Sequence, residues 1–335
     1  MIRWFLLVCL VIVGLALGLL YVDYQRFLEH PSGNSETVVF EVEQGDSLGV
    51  VSSHLLKAGL ISNERWFKLL ASREKAETSI KVGDYSIEPG AKPPAILATL
   101  VAGRVLQYSI TFVEGSTFKQ LRQRLVQNPR IKQTLAKNSD QSIMEKLGYP
   151  DQHPEGRFFP ETYFFDNNTS DLKILRRAYQ KMQQTVTAEW TNRDKELPIE
   201  TADEALVLAS IVEKETGQAG ERAVIAGVFV RRLRKGMLLQ TDPTVIYGMG
   251  ESYKGNIRRK DLRTDTPYNT YTRSGLPPTP IAMPGQAAIH AALHPAQGDA
   301  LFFVANGNGS HVFSATLKEH NQAVKQYLKK LRAKR

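Results

Sequence analysis

The chain begins with an apolar run that constrains everything after it. Trp4 to Val22 contains 19 consecutive residues without a charged side chain. Because a helix of about 20 apolar residues crosses the hydrocarbon core of a bilayer, this run predicts a transmembrane helix over residues 4–22. Arg3 precedes the run and Asp23 follows it. Positive charge tends to stay inside the cell, so we expect residues 1–3 in the cytoplasm and the remainder outside it.

A cleaved signal peptide is the alternative interpretation of this run. Signal peptides usually have an apolar core of about 7–15 residues that ends in a small-x-small cleavage site. Gly14, Ala16 and Gly18 offer such a site, but Leu19–Val22 continues the apolar run beyond it. The length therefore favours an uncleaved, single-pass anchor. Cys9 is the one cysteine of the chain, which excludes an intramolecular disulfide and a cysteine-based zinc site.

The composition is that of a folded protein with more than one domain. The chain has 335 residues, of which 42% are hydrophobic and 23% charged, and this length predicts two domains or three. A net charge of +9 favours anionic partners. No helix-turn-helix, RNP or zinc-finger spacing accompanies the charge, so nucleic acid is not predicted as a partner. We expect the basic residues clustered over 231–235 and in the tail over 329–335 to be a solvated helix face and a solvated tail.

Residues 23–36 are polar and contain Pro31 and Gly33, which predicts a linker. A faint repeat follows within residues 37–127. Val42–Leu48 and Val113–Phe118 each predict a strand end, a glycine turn and a capped amphipathic helix. The first copy resembles a LysM module, a small βααβ unit that binds polymers of N-acetylglucosamine. A small α/β unit with a purely structural role remains the alternative.

Residues 128–335 predict a larger mixed α/β domain, and the whole chain is predicted to be α+β. Asn306–Gly309 lies between two short apolar runs and predicts a β-hairpin. Residues 242–285 are rich in Pro, Gly, Thr and Tyr and predict a long functional loop. Helices are predicted over 171–190, 201–216, 221–235 and 317–331.

The strongest candidate for chemistry is the end of the helix over 201–216. Thr201 and Glu204 predict a capping box at its start. Glu213 and Glu215 lie in its last turn, and Glu215 is roughly 50° from the centre of the apolar face, against roughly 100° for Glu213. Burial and the helix dipole both raise a carboxyl pKa, as a general acid in glycoside cleavage requires. The alternative role is a salt bridge with a neighbouring basic side chain such as Lys214.

Two polar segments over 239–248 and 267–278 carry Tyr, Asn, Gln and Thr, which can stack on sugars or bind them by hydrogen bonds but also build ordinary loops. Aromatic residues surround Glu161 in a third segment, 156–165. The motifs of zinc proteases, nucleophile elbows and phosphate-binding loops do not occur. The seven histidines show no recognised metal-ligand spacing, so we predict neither a metal nor a cofactor.

Several ordered segments together resemble the endolytic murein transglycosylases, the YceG-like proteins of the bacterial envelope. The resemblance rests on Leu208–Thr216 (LASIVEKET), Gly236–Gly250, Tyr268–Tyr271 with Gly275–Pro278, and Ala305–Phe313. It covers most of the chain. The family layout implies one span of the bacterial inner membrane, a LysM-like region over 37–127 and a catalytic domain over 128–335, both on the periplasmic side.

The resemblance also implies the activity and the site. Glu215 corresponds to the catalytic residue of a lyase that cuts the β-1,4 bond between N-acetylmuramic acid and N-acetylglucosamine in nascent strands, leaving 1,6-anhydro ends without a metal or cofactor. Peptidoglycan strands and peptidoglycan synthases are the implied partners. A non-catalytic, membrane-anchored glycan-binding scaffold for these synthases is the alternative. The residues that we expect to bind the sugars are Gln240, Thr241, Asp242, Tyr247, Tyr268, Asn269 and Glu161.

Overall fold

A computed structural model describes residues 2–333 of the chain. Met1, at the predicted cytoplasmic end, and Lys334 and Arg335, in the basic tail, lie outside the described residues. The chain forms two compact units. The first contains the residues up to Tyr108 together with Phe164–Asn168, and the second contains Ser109–Tyr163 and the residues from Thr169 onward.

Helix α1, Ile2–Glu29, is long and apolar enough to span a membrane, with a mean hydropathy of 2.9 over its most apolar window. It continues beyond Val22, and Tyr24 and Phe27 are buried in the core of the first unit. The linker predicted over 23–36 is therefore wrong as far as Glu29. Positions 24 and 27 are three residues apart and share one helix face, so burying their rings extends the helix.

The first unit is built around a two-stranded sheet. Its strands β1, Val38–Val42, and β2, Gly83–Ile87, are antiparallel, with Val38 opposite Ile87. Large side chains such as Phe67 and Tyr85 fill the core between the sheet and the helices. The helices of this unit after α1 are α2 (Leu48–Lys57), α3 (Glu64–Arg73) and α4 (Pro93–Ala102).

The chain passes between the units at strands β3, Tyr108–Thr111, and β5, Thr162–Phe165, which pair with each other. The second unit contains the short parallel pair β4 (Ile131–Lys132) and β6 (Thr169–Ser170) and the antiparallel hairpin β7 (Phe302–Ala305) and β8 (His311–Ser314). Its helices are α5 (Phe118–Gln127), α6 (Asp140–Leu147), α7 (Asp171–Thr191), α8 (Ala202–Glu215), α9 (Arg222–Arg234), α10 (Asp242–Met249), α11 (Arg259–Arg263), α12 (Gln286–Leu293) and α13 (Leu317–Ala333).

The predicted repeat is present in local geometry. Ser47 caps α2 and Thr117 caps α5, the latter in a full capping box with Gln120. Gly45 and Gly115 precede these caps with φ angles of +99° and +71°, a left-handed conformation that favours glycine. Helix α5 nevertheless belongs to the second unit, where Phe118 stacks on Phe158 with ring centroids 5.0 Å apart. The predicted domain boundary between residues 127 and 128 therefore falls inside this unit.

Helix α8 forms the centre of the second unit because it is apolar almost all round. Ala205 through Val212 are all buried, in a core shared with α7, α9 and α12. The predicted capping box begins the helix: the Glu204 N–H donates to Thr201 Oγ1 at 3.1 Å, and the Thr201 N–H donates to Glu204 Oε2 at 3.3 Å. This packing fixes the direction in which the last turn of α8 presents its side chains.

Two predictions for this unit are wrong in part. The segment 242–285, predicted as a loop, contains α10 and α11, because Pro243 stands in the first turn of α10, where proline favours a helix. The basic cluster over 231–235 is only partly a solvated face, because Arg234 and Lys235 are exposed whereas Arg231 and Arg232 are not. Arg231 Nε donates to the Ala300 carbonyl at 2.8 Å, and Arg232 is buried. Both guanidinium groups instead tie α9 to neighbouring backbone.

Candidate active site

Glu215 is the last residue of α8, and its carboxyl group lines a cleft of about 410 Å³ in the second unit. This volume is in the range of ligand-binding pockets. Polar and aromatic side chains from α9, α10, the hairpin and the start of α13 complete the cleft. Its lining residues are Glu215, Arg232, Leu239, Gln240, Asp242, Tyr271, Phe302, Phe303, Val304, Ala305, His311, Leu317 and His320.

The environment of Glu215 favours the protonated carboxyl group. Burial raises its pKa to about 6, the hydrogen bond that Thr241 Oγ1 donates to Oε1 opposes this rise, and the negative charge of Asp242 adds to it. At pH 7, one pH unit above this pKa, about a tenth of these carboxyl groups still carry a proton. A group in this state can donate its proton to a leaving oxygen and later take a proton back.

Glu213, two residues earlier, makes different contacts from Glu215. Its Oε2 accepts a hydrogen bond from the Gly285 N–H at 3.0 Å, at the N-terminus of α12, and burial raises the pKa of its carboxyl group. The neighbouring Lys214 donates to the Gly115 carbonyl at 3.1 Å. Glu213 and Lys214 thus connect the last turn of α8 to other segments, whereas Glu215 faces the cleft.

A strained turn forms the floor of the cleft and places the Thr241 hydroxyl within hydrogen-bond distance of Glu215. Gln240 has a φ of +50°, which is unfavourable for a residue with a side chain. Its N–H donates to the Thr270 carbonyl at 3.1 Å, and the Thr241 N–H donates to Thr270 Oγ1 at 3.1 Å. Asp242 follows and accepts a hydrogen bond from the Tyr271 hydroxyl at 2.6 Å. These bonds hold the three polar residues 240–242 in place around the carboxyl group.

One wall of the cleft is the hairpin β7–β8, which carries His311. Glu221 holds this histidine through two bonds: His311 Nδ1 lies 2.7 Å from Oε2, and the His311 N–H donates to Oε1 at 2.8 Å. Burial alone would raise the pKa of Glu221, but the hydrogen bonds from His311 outweigh burial and lower it. The cationic form of His311 also lowers the pKa of Glu215. The Ala305–Phe313 motif includes His311, but nothing in the sequence indicates its partner.

Arg232 joins the floor of the cleft to the hairpin. Its Nη1 donates to the carbonyls of Leu238 and Leu239, each at 3.0 Å, and its Nε donates to the Leu301 carbonyl at 2.7 Å. Its guanidinium carbon lies 5.1 Å from the centre of the Phe302 ring. Burial lowers the pKa of this group. We did not predict Arg232 as a site residue, because its position three residues before Lys235 in a basic run is typical of a solvated surface.

The structure brings together four of the predicted site residues: Glu215, Gln240, Thr241 and Asp242. Asn269 is placed elsewhere, because it is buried and its amide donates to the carbonyls of three residues of the preceding segment, the nearest at 2.7 Å. Its predicted contact with sugars is thus replaced by a role in bracing the loop.

Tyr247, Tyr268 and Glu161 are also not among the residues that line this cleft. Tyr247 and Tyr268 pack edge to face with ring centroids 4.8 Å apart. The Tyr247 hydroxyl donates to Glu155 Oε2 at 3.1 Å, and the Tyr268 hydroxyl lies 2.8 Å from Thr279 Oγ1. Glu161 is exposed to solvent, and its backbone carbonyl accepts a hydrogen bond from Phe112. These three side chains therefore lie outside the lining of this cleft, and their contact with sugars stays a prediction.

Comparison with known proteins identifies the family of this chain. The model of the YceG-like family matches residues 40–326. This chain belongs to the YceG-like family. A protein of Bacillus subtilis named endolytic murein transglycosylase is 33% identical over 94% of this chain and 91% of its own length. A protein of the same name from Streptococcus pneumoniae is 27% identical over 92% of this chain, which corresponds to 62% of that longer protein.

A solved structure shares the fold. The crystal structure of a putative YceG-like protein from Listeria monocytogenes superimposes with a TM-score of 0.56 and 30% sequence identity, covering 86% of this chain and 99% of that one. The mixed α/β fold of this member of the YceG-like family is therefore that of a known relative.

Proposed function

We propose that this protein is an endolytic murein transglycosylase, a lyase that uses Glu215 as its single acid–base residue. The observation that carries the proposal is the carboxyl group of Glu215 in the cleft, with a pKa raised to about 6 by burial. The names of its relatives in Bacillus and Streptococcus support peptidoglycan as the substrate.

In the first half of the proposed reaction, the protonated Glu215 donates its proton to the oxygen that joins C1 of N-acetylmuramic acid to C4 of N-acetylglucosamine. The bond between C1 and this oxygen breaks, and the departing strand ends in a 4-hydroxyl group. Positive charge develops at C1, and the resulting carboxylate of Glu215 stabilises it. Asp242, held by the Tyr271 hydroxyl, supplies a second negative charge in the cleft.

In the second half, the 6-hydroxyl oxygen of the same muramic sugar attacks its own C1. The hydroxyl proton passes to the Glu215 carboxylate, which restores the acid, and a 1,6-anhydro end is formed. No water is consumed. Hydrolytic glycosidases use a second carboxyl group to activate water or to form a covalent intermediate. An intramolecular nucleophile removes that requirement, so one acid–base residue completes the cycle.

The membrane arrangement follows from α1 and from the proposed substrate. We place α1 across the bacterial inner membrane with residues 1–3 in the cytoplasm and both units on the periplasmic side. Arg3 on the inner side supports this orientation. Nascent strands emerge at the outer face of this membrane, so peptidoglycan synthases are the partners that would deliver the substrate.

For the first unit we propose a LysM-like role in binding glycan strands. Support comes from the order β1–α2–α3–β2 and from the antiparallel pairing of the two strands, which is the βααβ arrangement. Binding of chitin oligomers by the intact protein, measured by fluorescence or calorimetry, tests this role. Retention of these oligomers after substitutions confined to the second-unit cleft would locate the binding in the first unit.

Mass spectrometry of glycan strands incubated with the full-length protein in detergent tests the activity. A fragment that begins at residue 31 is unsuitable, since Tyr24 and Phe27 belong to the core of the first unit. We expect anhydro-ended fragments from the wild type and from Glu213→Gln, but none from Glu215→Gln. Products with reducing ends would indicate hydrolysis. Unchanged glycan with intact binding would favour the scaffold role.

A further inference from the structure

Outside the cleft, the second unit brings together two histidines and a glutamate. Glu189 lies near the end of α7, and His290 and His294 lie in the last turn of α12 and just after it. Glu189 Oε2 is 2.9 Å from His290 Nδ1 and 3.9 Å from His294 Nε2. One ligand atom from each of the three side chains lies within 4.8 Å of the other two. None of the three residues lines the cleft that contains Glu215.

The chemistry and spacing of this cluster suit a divalent transition-metal ion. Imidazole nitrogens and a carboxylate oxygen are ligands that Zn²⁺ prefers, at about 2.0–2.2 Å from the ion. Two ligands at these distances in a tetrahedral site are about 3.3 Å apart, so the observed separations need only small side-chain rotations. His290 in the last turn of α12 and His294, the residue that follows the helix, both bring a ring nitrogen to within 4 Å of Glu189 Oε2. The site proposed below departs from our prediction that the histidines lack a metal-ligand pattern.

A fourth residue supports the site from behind. Asp194 Oδ1 lies 3.3 Å from His294 Nδ1, the ring nitrogen that faces away from Glu189. The Asp194 N–H donates to the Leu293 carbonyl at 3.0 Å, which fixes Asp194 beside the end of α12. Metal-binding histidines usually donate their second ring N–H to a carboxylate in this way, which fixes the tautomer and orients the ring.

The alternative is a simple ion pair between Glu189 and protonated histidines. The two imidazole rings lie only 4.4 Å apart, centroid to centroid. An ion pair needs only one histidine beside the carboxylate, whereas here both rings lie beside Glu189 Oε2 and can share one metal ion. The His290 side chain is 60% exposed and that of Glu189 is 16% exposed, so an ion can enter from solvent while the carboxylate remains shielded.

We propose that Glu189, His290 and His294 form a zinc site with a fourth position open to water, supported by Asp194. The ion would connect the end of α7 to the end of α12, and α12 packs against α8. The site is separate from the proposed transglycosylase chemistry, which requires no metal. Its expected contribution is stabilisation of the second unit, because an ion that binds only the folded state shifts the folding equilibrium.

Calorimetric titration of the tag-free, metal-stripped, full-length protein in detergent with ZnCl₂ tests the proposal. We expect one ion per chain and an increase in the melting temperature. His290→Ala, His294→Ala and Glu189→Gln should each weaken the affinity by at least about tenfold, and Asp194→Asn by about tenfold. His54→Ala, which removes an exposed histidine from the first unit, is the matched control and should bind as the wild type does.

Optical spectra with Co²⁺ in place of Zn²⁺ give a second readout that does not depend on stability. A tetrahedral site should produce visible absorption bands that disappear in Glu189→Gln, a variant of nearly unchanged size. Absence of stoichiometric Zn²⁺ binding by the wild type would overturn the proposal. So would wild-type affinity in the folded Glu189→Gln and His294→Ala proteins, with folding checked by circular dichroism. Neither outcome bears on the assignment of Glu215.

Discussion

Two carboxyl groups of the second unit have strongly raised pKa values, yet their surroundings differ. Burial raises the pKa of Glu215 to about 6 and that of Glu155 to about 7. Glu215 faces the cleft, where a substrate can reach it. Glu155 is 3% exposed, and both of its oxygens are occupied, by the Phe118 N–H at 3.0 Å and the Tyr247 hydroxyl at 3.1 Å.

The comparison shows that a raised pKa by itself reports burial and not catalysis. Glu155 has the higher pKa but presents no free oxygen to a ligand, so we interpret it as a brace between the N-terminus of α5 and helix α10. Glu215 keeps one oxygen, Oε2, beyond the Thr241 bond. Access from the cleft, added to the shifted pKa, distinguishes the proposed acid from the brace.

Replacement of the proposed acid should have the largest effect. In Glu215→Gln, the proton donor is lost while the size of the side chain is kept, so the rate of anhydro-product formation should fall by about 10²–10⁴-fold. At pH 5, where the wild-type carboxyl group is mostly protonated, the unfolding free energy should change little. Glu213→Gln, in the same helical turn, should retain activity within about tenfold. Equal losses in the two variants would remove the distinction between them.

Glu155, the proposed brace, should make the unfolding free energy of the protein depend on pH. The pKa of Glu155 is about 7 in the folded state, above its ordinary value of 4.5, so the folded protein binds a proton that the unfolded chain has already released. Glu155 should therefore cause stability to fall by about 3 kcal/mol as pH rises from about 4.5 to about 7, and its contribution should then level off. Urea denaturation at pH 5 and pH 8 measures this loss.

Glu155→Gln is the matched variant for this measurement, since its amide can accept from Phe118 and donate to the Tyr247 oxygen. It should lose the part of the pH dependence that Glu155 causes, retain the smaller decline that follows from the raised pKa of Glu215, and keep transglycosylase activity within about tenfold. The same decline between pH 5 and pH 8 in wild type and variant would show that another group causes it.

Two adjacent residues should move the activity profile in opposite directions. Because Glu215 must be protonated, kcat/KM should decline above about pH 6. Thr241→Val removes a hydrogen bond that lowers the pKa of Glu215, so the decline should move to higher pH. Asp242→Asn removes a negative charge that raises this pKa, so the decline should move to lower pH. At pH 7 the two variants should differ by about fivefold, the equivalent of about 1 kcal/mol.

Shifts of the same sign in these two variants would contradict the assignment of Glu215 as the titrating acid. A profile without any decline above pH 6 in the wild type would do so as well. The Thr241 side chain makes no capping bond to α10, so Thr241→Val should leave the start of this helix intact.

The smallest effect on activity is expected for Tyr247→Phe. Removal of the hydroxyl leaves one oxygen of Glu155 without its donor, which should cost about 1 kcal/mol of stability at pH 8. The rate of glycan cleavage should change by less than about twofold, because Tyr247 does not line the cleft. A large loss of activity with unchanged stability would restore the original expectation that Tyr247 contacts sugars.

Local signals in the sequence predict much of the fold. The capping box at Thr201 fixes the start of α8, and Asn306–Gly309 fixes the hairpin, because both depend on residues adjacent in sequence. Asp242–Pro243 is typical of a helix start. We predicted a loop instead, because the segment is rich in Gly, Pro and Thr. The extension of α1 to Glu29 depends on burial of Tyr24 and Phe27, which only packing decides.

The candidate site was predictable to a lesser degree. Helical periodicity identifies Glu215, and the neighbouring polar segment contributes Gln240, Thr241 and Asp242. Arg232 and His311 could not be predicted, since their place in the cleft depends on partners 69 and 90 residues away in sequence. Composition also led us to predict that Asn269 binds sugars, because the sequence does not distinguish a buried asparagine that braces a loop from one that binds a sugar.

The continuity of α1 with the first unit determines how that unit stands on a membrane. Seven residues, 23–29, extend the helix beyond the predicted span, a length of about 10 Å. The Trp66 ring N–H donates to Asp23 at 2.8 Å, and Tyr24 lies against the same ring. Once α1 crosses a bilayer, the height of the first unit above the lipid is set by folded structure, and any tilt of the anchor rotates the unit with it. A change in bilayer thickness that alters the tilt of α1 would therefore also alter the orientation of this unit.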